Sequence, residues 1–243
     1  MDKSIRVGSV LSRSFRIYAR NFPAFMILLA VIFSPLAILV LSMVDSHLTA
    51  DESTQISWIV MGGGFFLSVI AAAAVTFATF EQLRGRRASM AASAAVGLRS
   101  LVPALLVGML MILGIGLGFV ALVVPGVVWA CMWFVAIPVT VVEKPGVFAS
   151  LARSRALTKG SRWQIFFAVF LLNLATQVIA RIMRGAMMSD PTTISEYRTF
   201  LIAFIGVMAL LAGITAVVTC VVYHDLRKAK DGVDTDELAS VFE

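Results

Sequence analysis

The sequence is short of charge, of cysteine and histidine, and of every familiar catalytic signature. Only 14% of its 243 residues are charged, against 60% hydrophobic, whereas soluble domains carry about 25% charged and about 45–50% apolar residues. That shortage excludes a water-soluble globule, whose core has no use for so much apolar sequence. The excess must face lipid, in keeping with a mean hydropathy of +0.94. Cys131 and Cys220 both fall inside apolar runs, so they read as small packing residues, not as a disulfide or metal ligands. His47 and His224 belong to an outer loop and an inner boundary and cannot share a site. No HExxH, Walker A, GxSxG or zinc-spaced Cys/His cluster occurs, and no catalytic residue, metal or cofactor is expected. Asp231, Asp234 and Asp236 could in principle bind Mg²⁺, but read better as part of a solvated tail.

What is present is six apolar runs at 24–44, 56–80, 101–124, 127–142, 163–183 and 200–223. Each is near the roughly 20 residues a helix needs to cross the hydrocarbon core. The chain is therefore expected to be all-α and polytopic, a single membrane domain over 1–226 with a polar tail over 227–243. The first run is longer than the apolar region of a signal peptide and should remain as a span. Pro35 should kink that span. Pro125-Gly126 should form the hairpin turn between spans three and four. Gly114 and Gly118 on span three have the spacing of a close-packing helix face, read here as packing within the chain.

Net charge is +6, and position gives it meaning. All Lys and Arg except Arg181, Arg184 and Arg198 lie before span one, after spans two and four, or in the tail. Basic loops stay inside, so both termini are expected in the cytoplasm and the protein in the cell (inner) membrane, its cations facing anionic headgroups, not nucleic acid. Residues 7–20 form an amphipathic stretch. Val7, Leu11, Phe15 and Tyr18 share one stripe at about 100° per residue, opposite Arg6, Arg13, Arg16 and Arg20. This is the pattern of a helix lying in the interface.

A repeat follows from the same boundaries. Leu11-Ser12-Arg13-Ser14, Gly97-Leu98-Arg99-Ser100 and Leu151-Ala152-Arg153-Ser154 each precede an odd-numbered span. Glu81…Arg84, Glu143-Lys144 and Asp225…Arg227 each close an even-numbered one. Three units are expected, each a basic interfacial helix followed by a transmembrane hairpin. Glu81, Glu143, Arg153, Asp225 and Arg227 should form ion pairs at the inner boundary, structural in role.

Three segments carry a resemblance. They are the Pro125-Gly126…Trp129 turn, the run Glu143…Ser150…Arg153-Ser154…Leu157…Gly160…Trp163, and the exit Tyr223-His224-Asp225-Leu226-Arg227 followed by Asp231-Gly232-Val233-Asp234. Together they resemble the membrane domain attached to some glycerophosphoryl diester phosphodiesterases, shared by stand-alone six-span prokaryotic membrane proteins. The resemblance implies six spans with interfacial helices and no established activity. The catalytic barrel of those enzymes has no counterpart in this sequence, so its chemistry is not implied.

One feature inside a span stands apart. Asn173, Gln177 and Arg181 follow at i, i+4 and i+8 on span five, and Arg184 continues the line. Polar groups in a span mark a pathway or tie helices together by hydrogen bonds. Two functions therefore stay open. One is an accessory, anchoring or envelope- and lipid-related component with a protein partner or a second copy. The other is a small permease or lipid transporter whose polar stripe faces a cavity.

Overall fold

A computed structural model of the chain describes residues 7–43, 50–85, 90–186 and 194–232. Among them are ten helices and no strand: α1 (Val7–Arg20), α2 (Phe22–Met43), α3 (Ala50–Leu83), α4 (Met90–Arg99), α5 (Leu101–Ala121), α6 (Val123–Trp133), α7 (Ala136–Val142), α8 (Val147–Thr158), α9 (Arg162–Ala186) and α10 (Ile194–Asp231). Six stretches are long and apolar enough to cross a membrane: Phe22–Met43, Thr54–Leu83, Leu101–Ala121, Val123–Val142, Arg162–Met183 and Arg198–Asp231. The expected multi-pass all-α architecture is present. The order is short helix then hairpin, three times over, led by α1, α4 and α8. The serines aligned by the repeat, Ser14, Ser100 and Ser154, are all buried.

The centre is the C-terminal half of α3 packed on the C-terminal half of α10. Ala71, Ala73, Ala74, Val75, Thr76, Ala78 and Thr79 point in every direction round α3 and are all buried, so this helix is surrounded. Small side chains are what allow neighbours that close. On α10, residues 216–223 are buried without a break, and the Cys220 thiol rests 3.5 Å from the Thr76 carbonyl oxygen. Both cysteines are free and buried. By contrast α5 and α9 leave Leu106, Ile112, Leu113, Leu117, Phe167 and Phe170 exposed, the surface a span offers to lipid.

Several expectations need correction. Pro125-Gly126 is not the turn. The chain reverses at Leu122, which is extended (φ −166°, ψ 153°), and Pro125 lies in the first turn of α6, where its missing N–H leaves no bond unmade. Gly126 serves close approach instead: a Cβ on Gly118 would lie 2.8 Å from the Gly126 Cα, and one on Gly114 would lie 2.4 Å from the Trp133 ring. The Gly114/Gly118 face is thus used within the chain, as expected.

Span four is also broken between α6 and α7. Pro138 supplies no N–H to the carbonyl four residues back and its ring crowds that carbonyl, which places the break at Phe134–Val135. The Met132 carbonyl, released by the break, accepts from the Ser154 hydroxyl on α8 at 2.8 Å, and the Thr158 hydroxyl lies between it (3.3 Å) and the Ser154 carbonyl (3.0 Å).

On α1 the buried stripe is Val10, Ser14 and Tyr18, while Phe15 is 68% exposed. Of the expected interfacial stripe, Tyr18 is buried and Leu11 half-buried because α1 packs on α10, while Phe15 keeps the outward exposure that an apolar face lying in an interface requires. Arg6 and the side chain of Val7 lie outside the described residues.

Candidate functional site

The end of the bundle that carries the turn between α7 and α8 gathers the boundary residues into a polar belt. It begins with the turn after α7. Lys144 (φ 52°) and Gly146 (φ 98°) adopt left-handed backbone, readily available only to glycine. Ser150 secures the start of α8 by donating to the Gly146 carbonyl at 2.7 Å. This reversal sets Glu143 at the end of α7 opposite Arg153 on α8.

Five side chains then close a ring. The Tyr223 hydroxyl donates to Glu143 Oε1 at 2.9 Å. Arg153 Nε donates to Glu143 Oε2 at 3.1 Å, and its Nη2 donates to Asp231 Oδ2 at 2.5 Å. Arg227 Nε stands 3.8 Å from the same Asp231 oxygen, and its Nη1 donates to the Tyr223 hydroxyl at 3.4 Å. Burial alone would weaken the Arg153 charge, but its bonds to Asp231 and Glu143 outweigh that and raise its pKa above the ordinary arginine value. Beside the ring, Lys230 donates to the carbonyls of Ala156 and Lys159. These are orphan acceptors at the end of α8, where a cation is also favoured by the helix dipole.

A second cluster joins the ends of the chain. Arg13 Nη1 lies 3.2 Å from Asp225 Oδ1, which also faces His224 Nδ1 at 3.4 Å. A third is weaker: Asn21 donates to Gln82 Oε1 at 2.8 Å, and Arg84 approaches Glu81 at 4.0 Å. All five boundary residues expected to form ion pairs do so. The expected pairing omitted Tyr223 and Asp231, the latter being the exposed last residue of α10. Their spacing from Arg227 was the available signal, since Tyr223, Arg227 and Asp231 follow at i, i+4 and i+8. Asp234 and Asp236 lie outside the described residues.

The belt contains acids and bases that already satisfy one another. Both oxygens of Glu143 are engaged, which suits a structural clasp.

The polar line of span five faces the other way. Asn173, Gln177 and Arg181 are all exposed on α9. Asn173 turns back to its own helix, donating to the Val169 carbonyl at 2.9 Å. Gln177 and Arg181 have no polar partner among the described residues, and the side chain of Arg184 lies outside them. Among the described residues, Asn173, Gln177 and Arg181 therefore face outward and make no hydrogen bond to another helix. The chain matches no family model, no curated protein and no solved structure.

Proposed function

We propose that this protein is a non-enzymatic membrane component that binds a partner through span five, its termini in the cytoplasm of a cell whose inner membrane it occupies. One observation carries the reading. A polar line within an apolar span faces outward, where hydrocarbon would leave Gln177 and Arg181 unsatisfied. Polar groups at that depth are costly unless partnered. A helix of a partner protein, or of a second copy, removes that cost. The inner belt supports the same reading, since its ion pairs fasten the short helices to the spans and stiffen the bundle that presents α9. The resemblance to the membrane domain of glycerophosphoryl diester phosphodiesterases fits an envelope- or lipid-related setting.

A transporter would need Asn173 and Gln177 to face a wet interior, an arrangement their exposure does not favour. The test is a photoreactive residue in place of Leu174, beside the polar line, in the full chain in membranes. The expected result is one discrete protein adduct, from a partner or a second copy, lost on Asn173→Leu plus Gln177→Leu. Labelling of lipid alone would overturn the proposal.

A further inference from the structure

Helix α8 runs between the ends of two spans, Val123–Val142 and Arg162–Met183, so both of its ends are tied to one surface of the bilayer. One side of it is spent on the bundle, where Ser150, Ser154, Leu157 and Thr158 are buried. The opposite side is free. At about 100° per residue, Ala152, Arg155 and Lys159 all fall within about 40° of Phe148 round the helix, and all four are exposed. Phe148 opens this stripe at 77% exposed. Trp163, 73% exposed, follows just beyond it as the second residue of α9. Where a span meets its surface, an exposed tryptophan belongs at the headgroup level.

The stripe carries charge of one sign. Residues 147–163 contain no Asp or Glu. Among the described residues, the acids that pair with α8 are Glu143 and Asp231, and both hold Arg153, about 140° round the helix from Phe148. Arg155 and Lys159, one turn apart, have no acidic partner among those residues. Lys230 adds to the surplus at the end of α8, donating to the carbonyls of Ala156 and Lys159, with Arg162 near enough to act on its charge. Unpaired cations between two exposed aromatic rings, fixed where two spans reach the surface, fit an anionic membrane lipid.

We propose that the outward stripe of α8 binds an anionic phospholipid, its phosphate on Arg155 and Lys159 and its acyl chains entering the bilayer beside Phe148 and Trp163. The site lies at that surface whichever way the chain is inserted. It does not depend on the partner proposed for span five.

The test uses the full chain with Cys131 and Cys220 replaced. A fluorophore is attached through Ala152→Cys, in the middle of the stripe, or through Val120→Cys, exposed at the end of α5 on the opposite surface. The protein is reconstituted in phosphatidylcholine vesicles with trace phosphatidylglycerol or phosphatidylcholine carrying a nitroxide near the top of one acyl chain, and quenching is read. At 152, phosphatidylglycerol should quench severalfold more than phosphatidylcholine at the same mole fraction; at 120 the two should be equal. Arg155→Gln with Lys159→Gln should remove the difference at 152, and Arg155→Lys with Lys159→Arg should keep it. Equal quenching at 152 in the unsubstituted stripe, or a preference that survives the double Gln change, would overturn the proposal. So would loss of the preference on adding soluble glycerol phosphate, which would show a site for free phosphate esters. A preference that appears only after Asp234→Asn, Asp236→Asn and Glu237→Gln would assign the stripe to the chain's own acidic tail and overturn it too. A partner adduct at span five would be unaffected by any of these outcomes.

Discussion

Arg13 and Asp225 stand 3.2 Å apart although 212 residues separate them. Arg153 makes the corresponding contact with Glu143 at 3.1 Å. In both cases the arginine of a short helix grips the acid at the exit of the preceding hairpin. For α1 the preceding hairpin is the last one, so this contact joins the two ends of the order. The third joint would be Arg99 to Glu81. There Glu81 sides with Arg84 at 4.0 Å, and Arg99 is exposed.

The two joints should differ in strength. Arg13 is 46% exposed and has one acid, so Arg13→Gln should cost about 0–1 kcal/mol, the range of surface pairs. Arg153 is 33% exposed and bonds two acids. Arg153→Gln should cost about 1.5–3 kcal/mol, as for hydrogen bonds to charged groups. Thermal unfolding in detergent ranks them, and an Arg13 variant that is the less stable would contradict the ring of five.

The break in span four gives a second expectation. Ser154 donates to the Met132 carbonyl at 2.8 Å, while the single Thr158 hydroxyl proton faces both that carbonyl at 3.3 Å and the Ser154 carbonyl at 3.0 Å, so Thr158 can turn to Met132 when the Ser154 hydroxyl is lost. Ser154→Ala or Thr158→Val should each cost about 1 kcal/mol, and the double variant more than their sum, since a buried orphan carbonyl costs about 1–3 kcal/mol. Additive losses would show that the two hydroxyls do not share that acceptor.

Glycines on α5 should separate sharply. A Cβ on Gly114 collides with the Trp133 ring, whereas one on Gly116 meets nothing within 4 Å. Gly114→Val should lower stability by about 1–3 kcal/mol through overpacking. Gly116→Ala should be neutral or stabilising by about 0.5–1 kcal/mol, since alanine suits a helix interior better. Equal effects would contradict the α5–α6 contact.

The spans, the three-unit order and the boundary ion pairs were legible because hydropathy and charge fix them locally. What stayed hidden depended on neighbours. Phe15 and Val10 compete for the buried face of α1, and only α10 decides between them. Pro125 suits a turn or the first turn of a helix equally well, so the reversal at Leu122 could not be read from sequence. Asn173 and Gln177 announced a polar line, but not whether it faced in or out.

Orientation is tested directly. A reporter fused after Glu243 should behave as cytoplasmic, and one inserted near Asp51 as external, as the distribution of Lys and Arg requires. The reverse result at either point would invert the topology.

The outward direction of the span-five line underlies the whole reading, and cysteine labelling measures it most directly. In a chain with Cys131 and Cys220 replaced, cysteine is placed at 173 and at 177 in turn and the protein is reconstituted in vesicles. A charged, water-soluble thiol reagent should leave both untouched, since a thiol in hydrocarbon stays protonated, while a spin label attached to either in detergent should, after reconstitution, collide freely with dissolved oxygen in the lipid. Rapid reaction of either position with the charged reagent would show a water-filled path beside span five and contradict a closed bundle with an outward-facing polar line.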